Sequence, residues 1–115
     1  MHEGRAQVLQ AELDRFVDIV SRDMNPERIV LFGSFAHGEV HEWSDLDLVV
    51  IAETDLPFLK RQKRVIHAVR PTVSLDFFVY TPSEWDYMKS TQPFMRDEID
   101  AKGKVVYERR VAAMG

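Results

Sequence analysis

Two short apolar runs, with two carboxylates at the start of the second, constrain this sequence more than any other feature. The first run covers residues 29–32, and the second covers residues 45–51 and begins with Asp45 and Asp47. Both are short, rich in β-branched residues and bounded by loop signals, so each predicts a buried strand. Because a strand that is apolar on both faces must be covered on both sides, helices are expected to pack against the sheet.

The two carboxylates are expected on one face of the second strand. Side chains alternate faces along a strand, so the Cα atoms of Asp45 and Asp47 are predicted roughly 6.5 Å apart with their side chains on the same side. Two carboxylates on a buried strand cost folding free energy unless a cation neutralises them. Mg²⁺ binds carboxylate oxygens and keeps coordination positions open for phosphate. The structural alternative is that Asp45 caps a turn after Ser44, but Asp47 stands inside the apolar run, where an unpaired carboxylate is expensive.

Gly33 and Ser34 follow the first predicted strand directly. A glycine lets a phosphate approach the backbone closely, and free N–H groups at the start of the next turn can hold that phosphate. The same two residues can also serve only as a tight turn and a helix cap. A phosphate cradle that faces a metal-binding carboxylate pair is the chemistry of nucleotide transfer.

The remaining pattern predicts a fold of the α/β (α+β) class, a small mixed β-sheet flanked by helices. Helices are expected over 5–22, 54–69, a segment that starts near Thr81 or Ser83, and 94–102, and further strands over 73–80 and 104–108. On the first helix the apolar stripe is formed by Leu9, Leu13, Phe16, Val17 and Val20, while Glu12 and Arg15 are expected on the outside. On the helix expected over 54–69 the inner stripe is formed by Phe58, Gln62, Val65, Ile66 and Val69.

A basic cluster lies on the helix predicted over 54–69 and consists of Lys60, Arg61, Lys63 and Arg64. Such charge runs are typical of a solvent-exposed helix face. The alternative is a surface for an acidic partner or for nucleotide phosphates.

Length and composition exclude several classes of protein. With 115 residues, of which 45% are hydrophobic, we expect one domain over 1–115 with its core at about 5–108. The net charge of −4 gives no footprint for direct nucleic-acid binding. Cysteine is absent, which excludes disulfides, thiolate zinc sites and cysteine nucleophiles. No apolar run approaches the roughly 20 residues that cross a bilayer, and the N-terminus is charged, so a soluble cytoplasmic protein with no membrane association is expected.

The spacing of these motifs resembles a known signature. Gly33-Ser34, ten intervening residues and Asp45-x-Asp47 resemble the signature of the polymerase-beta-like nucleotidyltransferase superfamily. The small size is most similar to its minimal nucleotidyltransferase (MNT) members, which are often the antitoxin partners of HEPN-domain toxins. The family places a third carboxylate on a later strand, and Asp76, in the apolar run 73–79, matches that place. The structural alternative for Asp76 is an ion pair with Arg28 or Arg70.

The resemblance implies a polymerase-beta-like nucleotidyltransferase fold and a magnesium-dependent transfer of AMP from ATP to a hydroxyl group. In that interpretation the metal ligands and catalytic carboxylates, for two Mg²⁺ ions, are Asp45, Asp47 and Asp76. The nucleotide-binding residues are Gly33, Ser34 and His37, and His37 stands where many family members carry arginine. The implied acceptor is a tyrosine of a HEPN toxin, which this chain would silence as its antitoxin, in a homo- or hetero-oligomer.

Two other functions stay open at this stage. One is a non-catalytic antitoxin that blocks its toxin by contact. The other is a nucleotidyltransferase for a small molecule of the antibiotic type, acting through a homodimer. Activity on small hydroxylated acceptors without a partner protein would favour the second.

Overall fold

Helices and strands follow one another along the chain. The structure, a computed structural model, describes residues 3–42 and 44–110. The α-helices are α1 (Glu3–Met24), α2 (Phe58–Val69) and α3 (Pro82–Thr91). The chain also forms a 3-10 turn (Phe35–His37) after the first strand and a π-helical segment (Met95–Ala101) after α3. The strands are β1 (Arg28–Phe32), β2 (Leu46–Ile51), β3 (Leu75–Tyr80) and β4 (Lys104–Glu108). The four predicted strands are therefore present, with starts that differ by at most two residues from those expected.

The strands form one mixed sheet in the order β3-β2-β1-β4. β1 is antiparallel to both β2 and β4, whereas β2 and β3 are parallel and are connected through α2. The predicted fold class, a small mixed sheet flanked by helices, is confirmed. None of the helices in the described part of the chain has the length and apolar character that crossing a membrane requires.

Helices cover both faces of the sheet, as the apolar character of β2 predicts. Leu46, Leu48 and Val50 lie on the face that packs against α1 and α2. Val49 and Ile51 lie on the opposite face, in a cluster with Trp85 of α3 and Ile99 of the π-helical segment. Every one of these β2 side chains is at most 1% exposed, so β2 is the centre of the fold.

The predicted start of α2 is wrong. The helix was expected from Thr54, but it begins at Phe58. Thr54 uses its hydroxyl locally, because Oγ1 accepts a hydrogen bond from the backbone N–H of Leu56 at 3.1 Å. Pro57 takes the N-cap position with φ −59° and ψ 155°, a conformation that suits proline and ends the preceding loop.

The start of α3 is capped by Thr81, one of the two residues near which this helix was expected to begin. The Thr81 side chain accepts a hydrogen bond from the backbone N–H of Glu84, and the Glu84 side chain accepts one from the Thr81 N–H. This reciprocal arrangement is a capping box. The helix predicted over 94–102 is present as the π-helical segment Met95–Ala101. At its end the N–H of Gly103 donates to the Ile99 carbonyl at 2.8 Å.

Glu12 was expected on the outside of α1, but it is buried, with 5% of its surface exposed. Arg15 donates to both of its carboxylate oxygens at 2.9 Å, and the backbone N–H of Thr72 donates to Oε2 at 2.7 Å. Arg15 also donates to the carbonyl of Val69 at 2.6 Å. The Glu12–Arg15 pair therefore ties α1 to the segment between α2 and β3. Hydrogen bonding from Arg15 outweighs burial and lowers the pKa of Glu12 to about 2.

We predict that Glu12→Gln lowers the free energy of unfolding at pH 7 by about 2–3 kcal/mol, because it leaves the buried partners of a charged acceptor incompletely satisfied. The folded pKa lies below the ordinary value of 4.5, so this contribution is present above that pH and is lost as the pH falls towards 2. Urea unfolding between pH 7 and pH 3 measures it. Asp18→Asn is the matched control, since Asp18 pairs with Arg22 on the exposed side of the same helix and is expected to change stability by less than about 0.5 kcal/mol. Equal effects of the two substitutions would contradict the role given to Glu12.

Candidate active site

Two of the predicted site carboxylates lie side by side at the start of the parallel strand pair. Asp47 of β2 and Asp76 of β3 are Cα partners in the register. On its other side Asp47 pairs with Phe32, the last residue of β1. Asp45 precedes β2 by one residue and lies two residues before Asp47. The structure thus brings the three predicted carboxylates to one end of the sheet.

Both paired carboxylates lie on the sheet face that carries α3. Asp47 alternates with Leu46 and Leu48, which pack against α1 and α2. Asp76 likewise precedes Phe77, a member of that same core, and is itself exposed. The face of Asp47 and Asp76 is therefore free of the main core.

The electrostatics of this cluster show how close the carboxylates are. The pKa of Asp47 is raised from its ordinary 3.8 to about 6, first by burial and then by the negative charges of Asp76 and Asp45, with hydrogen bonding from the Asp76 side chain adding to the shift. Like charges and burial both disfavour the ionised form. A cation beside Asp47 would therefore favour its ionised form.

The ion-pair alternative for Asp76 is wrong. Arg28 donates to Asp100 at 3.4 Å. Within residues 3–42 and 44–110, neither Arg70 nor any other cationic side chain forms an ion pair with Asp45, Asp47 or Asp76. The residues that the structure describes therefore leave this negative charge without an ion-pair partner.

Gly33 directly follows β1 and lies against Asp47. Its φ is +79°, which favours glycine, and a Cβ atom at this position would overlap the Asp47 carboxylate. Both the backbone conformation and the space beside the carboxylate thus exclude a larger residue. The Gly-Ser and Asp-x-Asp motifs, which are separated in the sequence, therefore contact each other through Gly33 and Asp47.

Ser34 and His37 lie on the short 3-10 turn that follows Gly33. The hydrogen bonds of this turn start from the N–H groups of His37 and Gly38, which donate to the carbonyls of Ser34 and Phe35 at 3.1 Å. The N–H groups at the start of the turn take no part in its own hydrogen bonds. His37 is exposed, and neither Ser34 nor His37 lines the cleft beside the carboxylates. Their contact with phosphate stays a prediction.

A cleft of about 410 Å³ opens beside the paired carboxylates. Its lining residues are Phe32, Asp47, Gln62, Leu75, Asp76, Phe77 and Phe78. The ring of Phe32 also contacts Phe94 edge to face, with centroids 6.4 Å apart. A groove of similar volume, about 440 Å³, lies between α1 and β4, but it contains none of the predicted site residues. Carboxylates and aromatic walls in one cleft suit a ligand with both a charged and a planar part.

Gln62 of α2 is a lining residue that the sequence analysis did not identify as part of the site. Its Nε2 donates to the Phe77 carbonyl at 2.9 Å, and its Oε1 is buried without a hydrogen-bond partner among the described residues. A buried acceptor without a donor is costly. The sequence signal was an amide within the inner stripe of α2, between apolar neighbours.

The carboxylates fit a hard divalent cation by their donor chemistry, since Mg²⁺ binds carboxylate oxygens, and the raised pKa of Asp47 reflects the same need for positive charge. In the described part of the chain, no three side chains of His, Cys, Asp or Glu are placed to hold one ion together. A magnesium ion bound by two carboxylates would take its other ligands from phosphates and water.

Comparison with known proteins matches this arrangement to one family. A nucleotidyltransferase domain model matches residues 13–108. A protein of Methanocaldococcus jannaschii, named “Putative protein adenylyltransferase”, is 31% identical over 78 residues, which cover 67% of this chain and 75% of that protein.

Solved structures share the fold. A crystal structure described as a putative nucleotidyltransferase from Sulfolobus solfataricus superimposes with a TM-score of 0.65 at 18% identity, covering 91% of this chain and 86% of that one. A toxin–antitoxin structure with AMP-PNP has a TM-score of 0.56 at 22% identity, covering 83% of this chain and 72% of that one. The chain belongs to the nucleotidyltransferase domain family and is a nucleotidyltransferase.

Proposed function

We propose that this nucleotidyltransferase moves AMP from ATP to a hydroxyl group of another protein, a tyrosine of a HEPN-domain toxin, and so acts as its antitoxin. The observation that carries the proposal is the register pairing of Asp47 with Asp76, with Gly33 packed against Asp47. This arrangement provides carboxylates for a metal-bound nucleotide and a glycine beside them for its phosphates.

The relatives support a protein as the acceptor. The Methanocaldococcus jannaschii relative is named as a protein adenylyltransferase, and the toxin–antitoxin structure that shares this fold contains AMP-PNP. The choice of tyrosine and of a HEPN toxin comes from the resemblance to minimal nucleotidyltransferases. Intact-mass measurement of AMP addition to a co-expressed protein tests this choice of acceptor.

In the proposed reaction each carboxylate has a separate role. Asp45 and Asp47 would hold the Mg²⁺ of the bound nucleotide, and Asp76 would contribute to a second ion. Bound Mg²⁺ would neutralise phosphate charge and lower the pKa of the acceptor hydroxyl. Asp76 is exposed, so it is accessible to take the hydroxyl proton as general base. The acceptor oxygen then forms a bond to the α-phosphorus, and pyrophosphate leaves with the electrons of the bond that breaks.

Because Gly33 has no side chain, the backbone beside Asp47 leaves space that a phosphate can approach. Ser34 and His37 follow it on the turn and are the nearest candidates for further phosphate contacts. An arginine in the place of His37 would add a permanent positive charge and a forked donor for phosphate oxygens.

We predict that the protein encoded beside this chain gains one or more AMP units when it is co-expressed and incubated with the chain, Mg²⁺ and ATP, as measured by intact-mass spectrometry. Asp47→Asn and Asp76→Asn are expected to reduce the rate at least about 100-fold, since they remove metal ligands and the proposed base.

Asp86→Asn is the matched control, because Asp86 is 78% exposed on α3 away from the cleft. A tight complex without mass gain would favour a non-catalytic antitoxin, and AMP transfer to small hydroxylated compounds alone would favour the antibiotic-type enzyme.

Gly33 and Gly38 form a second test, since they have nearly the same backbone conformation, with φ +79° and +77°. A Cβ at Gly38 meets no atom within 4 Å, whereas one at Gly33 meets the Asp47 carboxylate. Alanine at either position is expected to cost about 1–2 kcal/mol of stability from the left-handed backbone. We predict that Gly33→Ala also lowers the AMP transfer rate at least about tenfold, while Gly38→Ala stays within about threefold of wild type. Equal rates in the two variants would show that the contact with Asp47 has no role in catalysis.

A further inference from the structure

The basic cluster of α2 is not one surface in the folded chain. Arg61 is buried and donates to the Leu56 and Val79 carbonyls and to Glu84, so its predicted place on a solvent-exposed face is wrong. Arg64 donates to Asp23 of α1 at 2.9 Å. Lys60 and Lys63 are exposed and form no ion pair with a residue that the structure describes. Two lysines thus remain available to a partner.

One stripe of α2 combines available cations with exposed apolar side chains. We define the α2 outer face as Leu59, Lys63 and Ile66 of the helix together with Arg70, its C-cap residue, at spacings of four, three and four residues. Leu59 is 72% exposed and Ile66 is 44% exposed. Lys63 and Arg70 are exposed and have no ion-pair partner among the described residues. The inner stripe predicted for α2 had assigned Ile66 to the core, and the structure corrects this.

The α2 outer face lies next to the cleft. Gln62, one residue before Lys63, lines the cleft together with Asp76 and binds the β3 backbone. The α2 helix starts beside the end of β3, where the ring centroids of Phe58 and Tyr80 are 6.0 Å apart. From there it runs back towards the start of β3. Ile66 therefore lies one turn beyond Gln62, towards the end of β3 that carries Asp76.

A partner cannot use the β3 backbone at this edge as a template for an added strand. Gln62 occupies the Phe77 carbonyl at 2.9 Å, and Arg61 occupies the Val79 carbonyl at 3.0 Å. Side chains from α2 thus block the edge, which is a usual protection against strand addition. Docking at this edge has to use the side chains of the helix.

We infer that the α2 outer face docks the acceptor protein, through a surface on that protein that combines apolar side chains with carboxylates. This inference rests on the proposed function. The chain as a whole has a net charge of −4, yet this face carries unpaired positive charge, so it selects an acidic surface. A protein seated there lies beside Asp76 and can extend its hydroxyl into the cleft.

The test measures the initial rate of AMP transfer against the concentration of the protein that the wild-type chain modifies. Leu59→Ser combined with Ile66→Ser, and separately Lys63→Glu, are expected to raise KM for the acceptor at least about tenfold with little change in kcat. Binding of an ATP analogue with Mg²⁺ by the isolated chain should be unchanged, because these residues lie outside the cleft.

Matched controls are available on the same chain. Lys104→Glu changes an exposed lysine of β4, at the opposite edge of the sheet from β3, that forms no ion pair with a residue the structure describes. Val8→Ser changes an apolar residue of α1 that is 48% exposed. Both should leave KM within about threefold. If the outer-face variants keep the wild-type KM, the docking inference is wrong while the proposed function stands. If the wild-type chain modifies no protein, the proposed function is wrong and the docking inference falls with it.

Discussion

Repulsion among carboxylates at the start of β2 is the constraint on which the rest of this structure depends. Burial, Asp76 and Asp45 together raise the pKa of Asp47 to about 6. Because this folded pKa lies above the ordinary value, the cluster makes the fold less stable as the pH rises through about 4 to 6. The chain tolerates that cost because β2 is buried on both faces by helices. A bound cation would relieve it.

The surrounding contacts fix the cluster from three directions. The parallel register places Asp76 beside Asp47, and Gly33 lets the end of β1 approach the same carboxylate. The buried Glu12 holds the Thr72 backbone, four residues before Asp76, and so anchors the approach to β3. Each contact belongs to the scaffold, yet each determines where a site carboxylate lies. Such rigid support of charged groups is how a site can be organised before its ligands bind.

The strands and the Asp-x-Asp motif could be predicted from sequence because their signals are local: short β-branched runs, strand alternation and a glycine after a strand. The role of Glu12 could not, since its burial depends on Thr72, 60 residues away along the chain. Arg61 is similar, because helical spacing alone cannot show that its guanidinium binds Glu84 and the β3 backbone. The start of α2 was predicted at Thr54 but lies at Phe58, because Thr54 accepts a hydrogen bond from the Leu56 N–H within the loop and Pro57 takes the N-cap position. The place of Gln62 in the cleft required the packing of α2 on β3.

The most direct test of the account is the pKa of Asp47, measured by carbon-detected NMR of the side-chain carboxyl. In EDTA we predict a pKa of about 6 for Asp47, because burial and the neighbouring carboxylates raise it. When Mg²⁺ and a non-hydrolysable ATP analogue are added, we predict that this pKa falls below the ordinary value of aspartate, because the cation favours the ionised form. Asp76→Asn should lower the metal-free pKa as well. A metal-free value near 4, or one that Mg²⁺ and nucleotide leave unchanged, would contradict the claim that this cluster is built to hold a cation.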